Sequence, residues 1–105
     1  MGESEISVGC LPEPDGWRCT VRVGDDAGAT EHEVRVDREA LVHLASEGTE
    51  PEDLVRASFE FLLDHEPRSA IMRRFELPII SRFFADYEGE IRRRLRSSSP
   101  QSEES

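Results

Sequence analysis

The amino-acid sequence predicts an α+β fold, a two- or three-stranded antiparallel β-meander followed by three to four helices packed on one face. Two patterns predict it: apolar and polar residues alternate early in the chain, and apolar residues recur at helical spacing afterwards. Strands followed by helices are typical of this fold class. The 105 residues suit a single domain, which we place at 1–96. The low-complexity, serine-rich segment 97–105 is expected to be a disordered tail.

Three segments alternate in the manner of half-buried strands, namely 6–10, 17–23 and 32–36. Stretches rich in Pro, Gly and Asp separate them and are typical of turns. The predicted register places every apolar residue on one face, with Val8 opposite Cys19 in the first hairpin and Val21 opposite Val34 in the second. A slip by one residue would turn these side chains towards solvent.

The two cysteines, Cys10 and Cys19, become diagonal neighbours in this register. Diagonal residues lie ~7–8 Å apart, which is long for a disulfide. We therefore expect two free thiols in the core, as is usual in a reducing compartment. Neither cysteine belongs to a Cys-x-x-Cys motif or has a histidine at metal-ligand spacing.

Two helices are predicted in the middle of the chain. Asp37 suits the N-cap of a helix over 38–47. A second helix is expected over 50–65, because Thr49-Glu-Pro-Glu52 has the pattern of a capping box with proline in the first turn. Apolar residues cover most of its circumference, so it should be the central element or contact a second subunit.

The last part of the chain predicts a short turn over 70–74 and one final helix that starts at Pro78. Its apolar stripe consists of Ile80, Phe83, Phe84, Tyr87, Ile91 and Leu95. We interpret the Phe83-Phe84 pair as part of the core. Gly89 is expected to fray or bend this helix.

Charge bears on the class of partner. The formal net charge is −10, and all 13 basic residues are arginines. Long-range repulsion of polyanions disfavours non-specific binding to nucleic acids and to anionic membranes. No apolar run approaches the ~20 residues of a membrane span. The acidic N-terminus lacks the basic and apolar regions of a signal peptide, so a cytoplasmic location is expected.

Residue patterns that carry chemistry are missing from the sequence. His32, His43 and His65 are far apart, and Asp25-Asp26 lacks the spacing of a calcium loop. No nucleophile elbow, phosphate-binding loop or dinucleotide fingerprint occurs. The sequence therefore nominates no catalytic residue, no cofactor and no metal ligand.

Three arginines, Arg73, Arg74 and Arg82, are candidates for contact with an anion or a protein partner. The arginines after residue 91 are better explained by the dipole of a helix C-terminus and by neighbouring glutamates. Residues 70–84 loosely resemble a helix-turn-helix, but the turn is shorter than the usual connection.

The segment Ala57-Ser-Phe-Glu-Phe-Leu-Leu63, with Phe75-Glu-Leu77 and Ile80-Ser-Arg-Phe-Phe-Ala-Asp-Tyr-Glu88, resembles a family of small uncharacterised bacterial proteins. The family also has a His-x-Val-x-Val strand, where this chain has His32-Glu-Val-Arg-Val36. The resemblance covers residues 17 to 91. It implies a cytoplasmic bacterial domain and brings no activity, cofactor or catalytic residue.

These observations favour a non-enzymatic protein-interaction or regulatory module. Its partner would be another protein or a second copy, because exposed sheet edges and an apolar second helix favour a homodimer. A DNA-binding transcriptional regulator with a degenerate helix-turn-helix is the first alternative. A small-ligand binder or an enzyme is the second.

Overall fold

The computed structural model describes residues 6–24, 28–45 and 48–98. It confirms the α+β class, with a β-meander that precedes the helices. The elements in chain order are strands β1 (Ile6–Glu13), β2 (Gly16–Val23) and β3 (Thr30–Asp37), helices α1 (Arg38–Leu44) and α2 (Pro51–His65), a 3₁₀ turn (Arg68–Ala70), strand β4 (Arg74–Glu76), a 3₁₀ turn (Leu77–Ile79), and helices α3 (Ile80–Phe83) and α4 (Tyr87–Ser98). The expected tail overlaps the end of α4, and its residues 99–105 lie outside the described parts.

The sheet has four strands in the order β1-β2-β3-β4, whereas two or three were expected. The first three are antiparallel, whereas β4 pairs parallel with β3. The Glu33 N–H donates to the carbonyl of Arg73 at 2.7 Å and fixes the start of β4. A three-residue strand is too short for alternation to reveal it, so the sequence predicted only a turn there.

Both hairpins are shifted by two residues from the predicted register. Val8 lies opposite Val21 rather than Cys19, and Val21 lies opposite His32 rather than Val34. The same side chains still face the core, because an even shift preserves the face on which each residue lies. In the first hairpin, a two-residue loop between β1 and β2 sets the observed register.

The prediction of free thiols is wrong, because Cys10 and Cys19 lie directly opposite each other and form a disulfide. Their Cα atoms are 4.0 Å apart, the close approach typical of a non-hydrogen-bonded pair in an antiparallel ladder. The error follows from the register, which had made the two residues diagonal. The disulfide ties β1 to β2 on the inner face, where Cys19 is fully buried.

Helix α2 confirms the predicted central element. It runs from Pro51 to His65 and packs against β1, β2, α1 and α4. The predicted capping box is wrong, because Glu50 occupies the N-cap and no side chain bonds to the helix start. Helix α1 begins after Asp37 as predicted and ends at Leu44, whereas the predicted end at residue 47 lies outside the described residues.

The single final helix of the prediction is divided into α3 and α4. Phe84 interrupts it with an extended backbone, φ −131° and ψ 107°. Helix α4 begins directly after Asp86, a residue type favoured before a helix, and has Glu88 and Glu90 in its first turn. Carboxylates at that end are stabilised by the helix dipole. The predicted helix is therefore interrupted before Asp86, and Gly89 lies within α4.

The core lies between the inner face of the sheet and the helices. Val21, Val34 and Phe61 are buried in it. Trp17 is half-buried, with the guanidinium of Arg38 5.2 Å from its ring centroid. The outer face of the sheet is polar and includes Arg18, Thr20, Arg22, Glu31, Glu33 and Arg35. The predicted division into one apolar and one solvated face is confirmed.

Candidate interaction groove

An apolar groove of about 300 Å³ lies at the β4 end of the molecule. Its walls come from the C-terminal half of α2, the chain leading into β4, β4 itself and the α3 region. Nine of its ten lining residues are apolar, and Glu66 is the tenth. The lining residues are Leu62, Glu66, Ala70, Ile71, Met72, Phe75, Ile79, Ile80, Phe83 and Phe84.

His32 holds one wall of the groove in place. Its Nδ1 lies 2.8 Å from the carbonyl oxygen of Met72, which only accepts, so Nδ1–H is the donor and carries the proton. The Thr30 hydroxyl lies 2.9 Å from Nε2, and the imidazole packs on Phe59 with ring centroids 5.3 Å apart. This buried imidazole thus fixes the backbone that presents the Met72 side chain.

A cluster of rings supports the opposite wall. Phe84 packs edge-on against Phe61 at 5.5 Å and lies 5.0 Å from the imidazole of His65. His65 Nδ1–H donates to the carbonyl of Phe61 at 2.9 Å, which fixes the imidazole at the end of α2. The interruption between α3 and α4 therefore coincides with a packed aromatic contact, and this wall is firmly held.

Large apolar side chains remain in contact with solvent at the groove. Phe83 is 64% exposed and Met72 is 43% exposed. The interpretation of Phe83 as a core residue is therefore wrong, whereas Phe84 is half-buried. In the α3 turn, Ile79, Ile80 and Phe83 share the lining face, and this spacing explains why Phe83 faces the groove rather than the core.

The structure separates the three candidate arginines. All three side chains are exposed and form no ion pair with another described residue. Arg74 starts β4 and lies beside Glu33 in the register, on the polar face of the sheet, because Phe75 after it is buried. Each of the three directly adjoins a lining residue in the chain: Arg73 follows Met72, Arg74 precedes Phe75 and Arg82 precedes Phe83.

Residues 70–84 do not form a helix-turn-helix. The segment contains strand β4 and a 3₁₀ turn, and its only α-helix, α3, has four residues. A recognition helix needs a longer surface to reach base edges from the major groove. The comparison with this motif is therefore wrong for this segment, because β4 pairs with β3 where the first helix would lie.

A buried pair of hydroxyl groups lies between α2 and α4. Tyr87 donates to the Ser58 hydroxyl oxygen at 2.6 Å, since Ser58 itself donates to the Leu54 carbonyl at 2.8 Å. Burial raises the pKa of the Tyr87 phenol, which keeps it neutral. Both side chains are fully buried, so the pair fixes the packing of α4.

Within the described parts of the chain, no group of three or more His, Cys, Asp or Glu residues could hold a metal ion. Across the same residues, no helix has the length and apolar character required to cross a membrane. Sequence reasoning missed most of the groove, because its lining combines five elements and the residues between them with no shared periodicity. The candidate arginines Arg73, Arg74 and Arg82 were the sequence signal nearest to it, whereas the Phe83-Phe84 pair was interpreted as core.

The chain matches no protein-family model, no curated protein and no solved structure among those compared with it.

Proposed function

We propose that this protein is a non-enzymatic protein-interaction module, and that its groove receives an apolar segment of a partner protein. The groove itself carries the proposal, because nine of its ten lining residues are apolar and Phe83 is largely exposed. Burying an apolar side chain of Leu or Phe size yields ~1.5–3 kcal/mol. A few such side chains fill a volume of about 300 Å³.

The chemistry of the lining favours binding over catalysis. Catalytic sites combine a pocket with several convergent polar groups. Glu66 is the single charged residue in this lining, and the others offer no acid, base or nucleophile to work with it. The buried hydroxyls of Ser58 and Tyr87 are enclosed in the core.

The flanking arginines indicate the charge of the partner. Arg73, Arg74 and Arg82 are exposed and directly adjoin lining residues in the chain, although the protein as a whole is acidic. A segment with apolar residues flanked by aspartate or glutamate would place its carboxylates near these guanidinium groups. Such complementarity increases the association rate and the specificity more than the affinity.

A titration with defined peptides tests the proposal. The probes are a synthetic peptide in which leucines are flanked by aspartates and a matched peptide with lysines in place of the aspartates. We expect the acidic peptide to shift the backbone amide NMR signals of Met72, Phe75 and Phe83, and to bind more weakly as salt increases. Equal binding of both peptides, or shifts confined to another surface, would contradict it.

Matched variants distinguish peptide binding in the groove from non-specific binding to other exposed residues. Phe83→Ser should weaken peptide binding at least tenfold, whereas Val42→Ser should not. Val42 is a suitable control because it is 78% exposed on α1, outside the groove lining. Arg82→Glu should weaken binding more than Arg56→Glu, which changes an exposed arginine of α2. Equal effects of variant and control in either pair would refute the assignment of the site.

A further inference from the structure

We infer that two copies of the chain associate through β1, antiparallel, with Val8 on the two-fold axis. The surface involved is the outer edge of β1, which pairs with β2 on its other side and with no further strand among the described residues. It lies at the opposite side of the sheet from the groove, which includes Phe75 of β4.

The register of the β1–β2 ladder determines which backbone groups face outward. Cys10 and Cys19 form a close, non-hydrogen-bonded pair, with Cα atoms 4.0 Å apart. Because the two kinds of pair alternate, Ile6, Val8 and Pro12 share this state with Cys10. Their N–H and C=O groups therefore point away from β2. Pro12 has no N–H, which agrees with its outward position.

These outward groups are self-complementary. A two-fold axis at Val8 places Val8 opposite Val8 of the second copy and Ile6 opposite its Cys10. Each of the three outward N–H groups then meets an outward carbonyl. Three donors on each of two chains give six main-chain hydrogen bonds. An isologous contact of this kind closes on itself and yields a dimer.

The inner face of β1 is also incompletely covered. Ile6, Val8 and Cys10 are only half-buried, whereas Val21 and Val23 of β2 are fully buried. A second β1 strand would lie against the open side of these three side chains. Since the same residues meet across the axis, the added contact is apolar on this face.

The edge lacks most of the features that usually prevent pairing. Proteins protect edge strands with charged side chains, proline, bulges or short length, and in β1 such residues, Pro12 and Glu13, lie at the strand end, outside the segment 6–10 that would pair with the second copy. Strand β1 pairs over eight residues without a bulge, and residues 6–12 carry no charge despite the net charge of −10. The other edge, β4, has only three residues. A second copy thus meets an uncharged edge, and the remaining repulsion is long-range and screened by salt.

Amide hydrogen exchange of the oxidised full-length chain tests both the association and its register. The N–H groups of Ser7, Gly9 and Leu11 bond to β2 and should be protected at every concentration. Those of Ile6, Val8 and Cys10 should gain at least tenfold protection as the protein concentration rises from micromolar to millimolar. Sedimentation equilibrium should show a dimer over the same range, favoured by added salt.

A monomer at millimolar concentration overturns the inference, and so does a dimer that leaves the Val8 amide exchanging freely. Protection of Val8 that appears only with a different protein would assign the edge to that partner instead and would equally overturn it.

Two variants of one residue provide a second test. Val8→Pro removes the N–H on the axis and leaves the β2 ladder intact, and Pro12 shows that this strand accepts proline at an outward position. Val8→Ala removes the side chain and keeps the N–H. We expect Val8→Pro to weaken the dimer at least tenfold relative to Val8→Ala, with both variants folded by circular dichroism. Equal dimerisation of the two variants contradicts the inference. If Val8→Pro does not fold, the exchange measurement on the natural chain decides.

Discussion

Reduction of the Cys10–Cys19 disulfide should lower the free energy of unfolding substantially. The two residues are separated by 9 positions, so the disulfide closes a short loop within the first hairpin. In the chain-entropy description, a loop of about ten residues restricts the unfolded chain by about 2.7 kcal/mol at 25 °C. The reduced thiols keep nearly the same volume against the core, so this estimate contains little loss of packing.

Guanidinium unfolding of the full-length chain, with and without a phosphine reductant, measures the effect. Trp17 lies on β2, two residues from Cys19, and its fluorescence reports on the same hairpin. We expect a lower unfolding midpoint after reduction. The control is Cys10→Ala with Cys19→Ala, whose midpoint should not respond to the reductant. Equal midpoints for the oxidised and reduced chains, or two reactive thiols in the air-oxidised native protein, would refute the reasoning.

Three further predictions concern two glycines, the buried hydroxyl pair and the response of stability to alkaline pH. Gly16→Ala should destabilise the fold by about 1–3 kcal/mol, because a Cβ there would lie 2.0 Å from the carbonyl oxygen of Val36. Gly89→Ala, where a Cβ meets no atom within 4 Å, should stabilise by about 0.5–1 kcal/mol, and equal thermal midpoints for the two would contradict this contrast. Ser58→Ala should lower the free energy of unfolding by about 1–3 kcal/mol, because it leaves the buried phenol unpaired. Tyr87→Phe should lower it by only about 1 kcal/mol. Denaturant unfolding that reverses this order would refute the donor assignment. The raised pKa of Tyr87 gives stability that is complete below about pH 10 and is lost as pH rises further, so Tyr87→Phe should flatten that alkaline loss.

Sequence alternation predicted the buried face of the sheet correctly but not the strand partners. A side-chain period of two distinguishes odd from even shifts, and every even shift satisfies the same pattern. The choice among even shifts depends on loop geometry, which in the first hairpin is a two-residue loop. That choice moved Cys10 from a position diagonal to Cys19 to one directly opposite it. The wrong prediction of free thiols therefore follows from an error of two residues in the strand register.

The groove could not be predicted, because its parts meet only through contacts distant in sequence. The bond between His32 and the Met72 carbonyl spans 40 positions, and β4 exists only by pairing with β3. Helix α2 was predicted well because its signals are local: a proline in the first turn and a nearly continuous apolar surface. The arginine hypothesis stays a prediction: Arg73, Arg74 and Arg82 are exposed neighbours of lining residues in the chain, and Arg74 lies on the polar face of the sheet.

Strand order places the two proposed surfaces at opposite sides of the sheet. A dimer through β1 would continue the sheet to eight strands, with a β4 and a groove at each end. Seven inter-strand spacings of about 4.8 Å separate the two β4 strands by about 34 Å, before twist is considered. Each groove would therefore stay open in the dimer, and a partner with two suitable segments could engage both. Because the surfaces share no residue, Phe83→Ser should leave dimerisation unchanged and Val8→Pro should leave peptide affinity per groove unchanged, so either proposal can fail without the other.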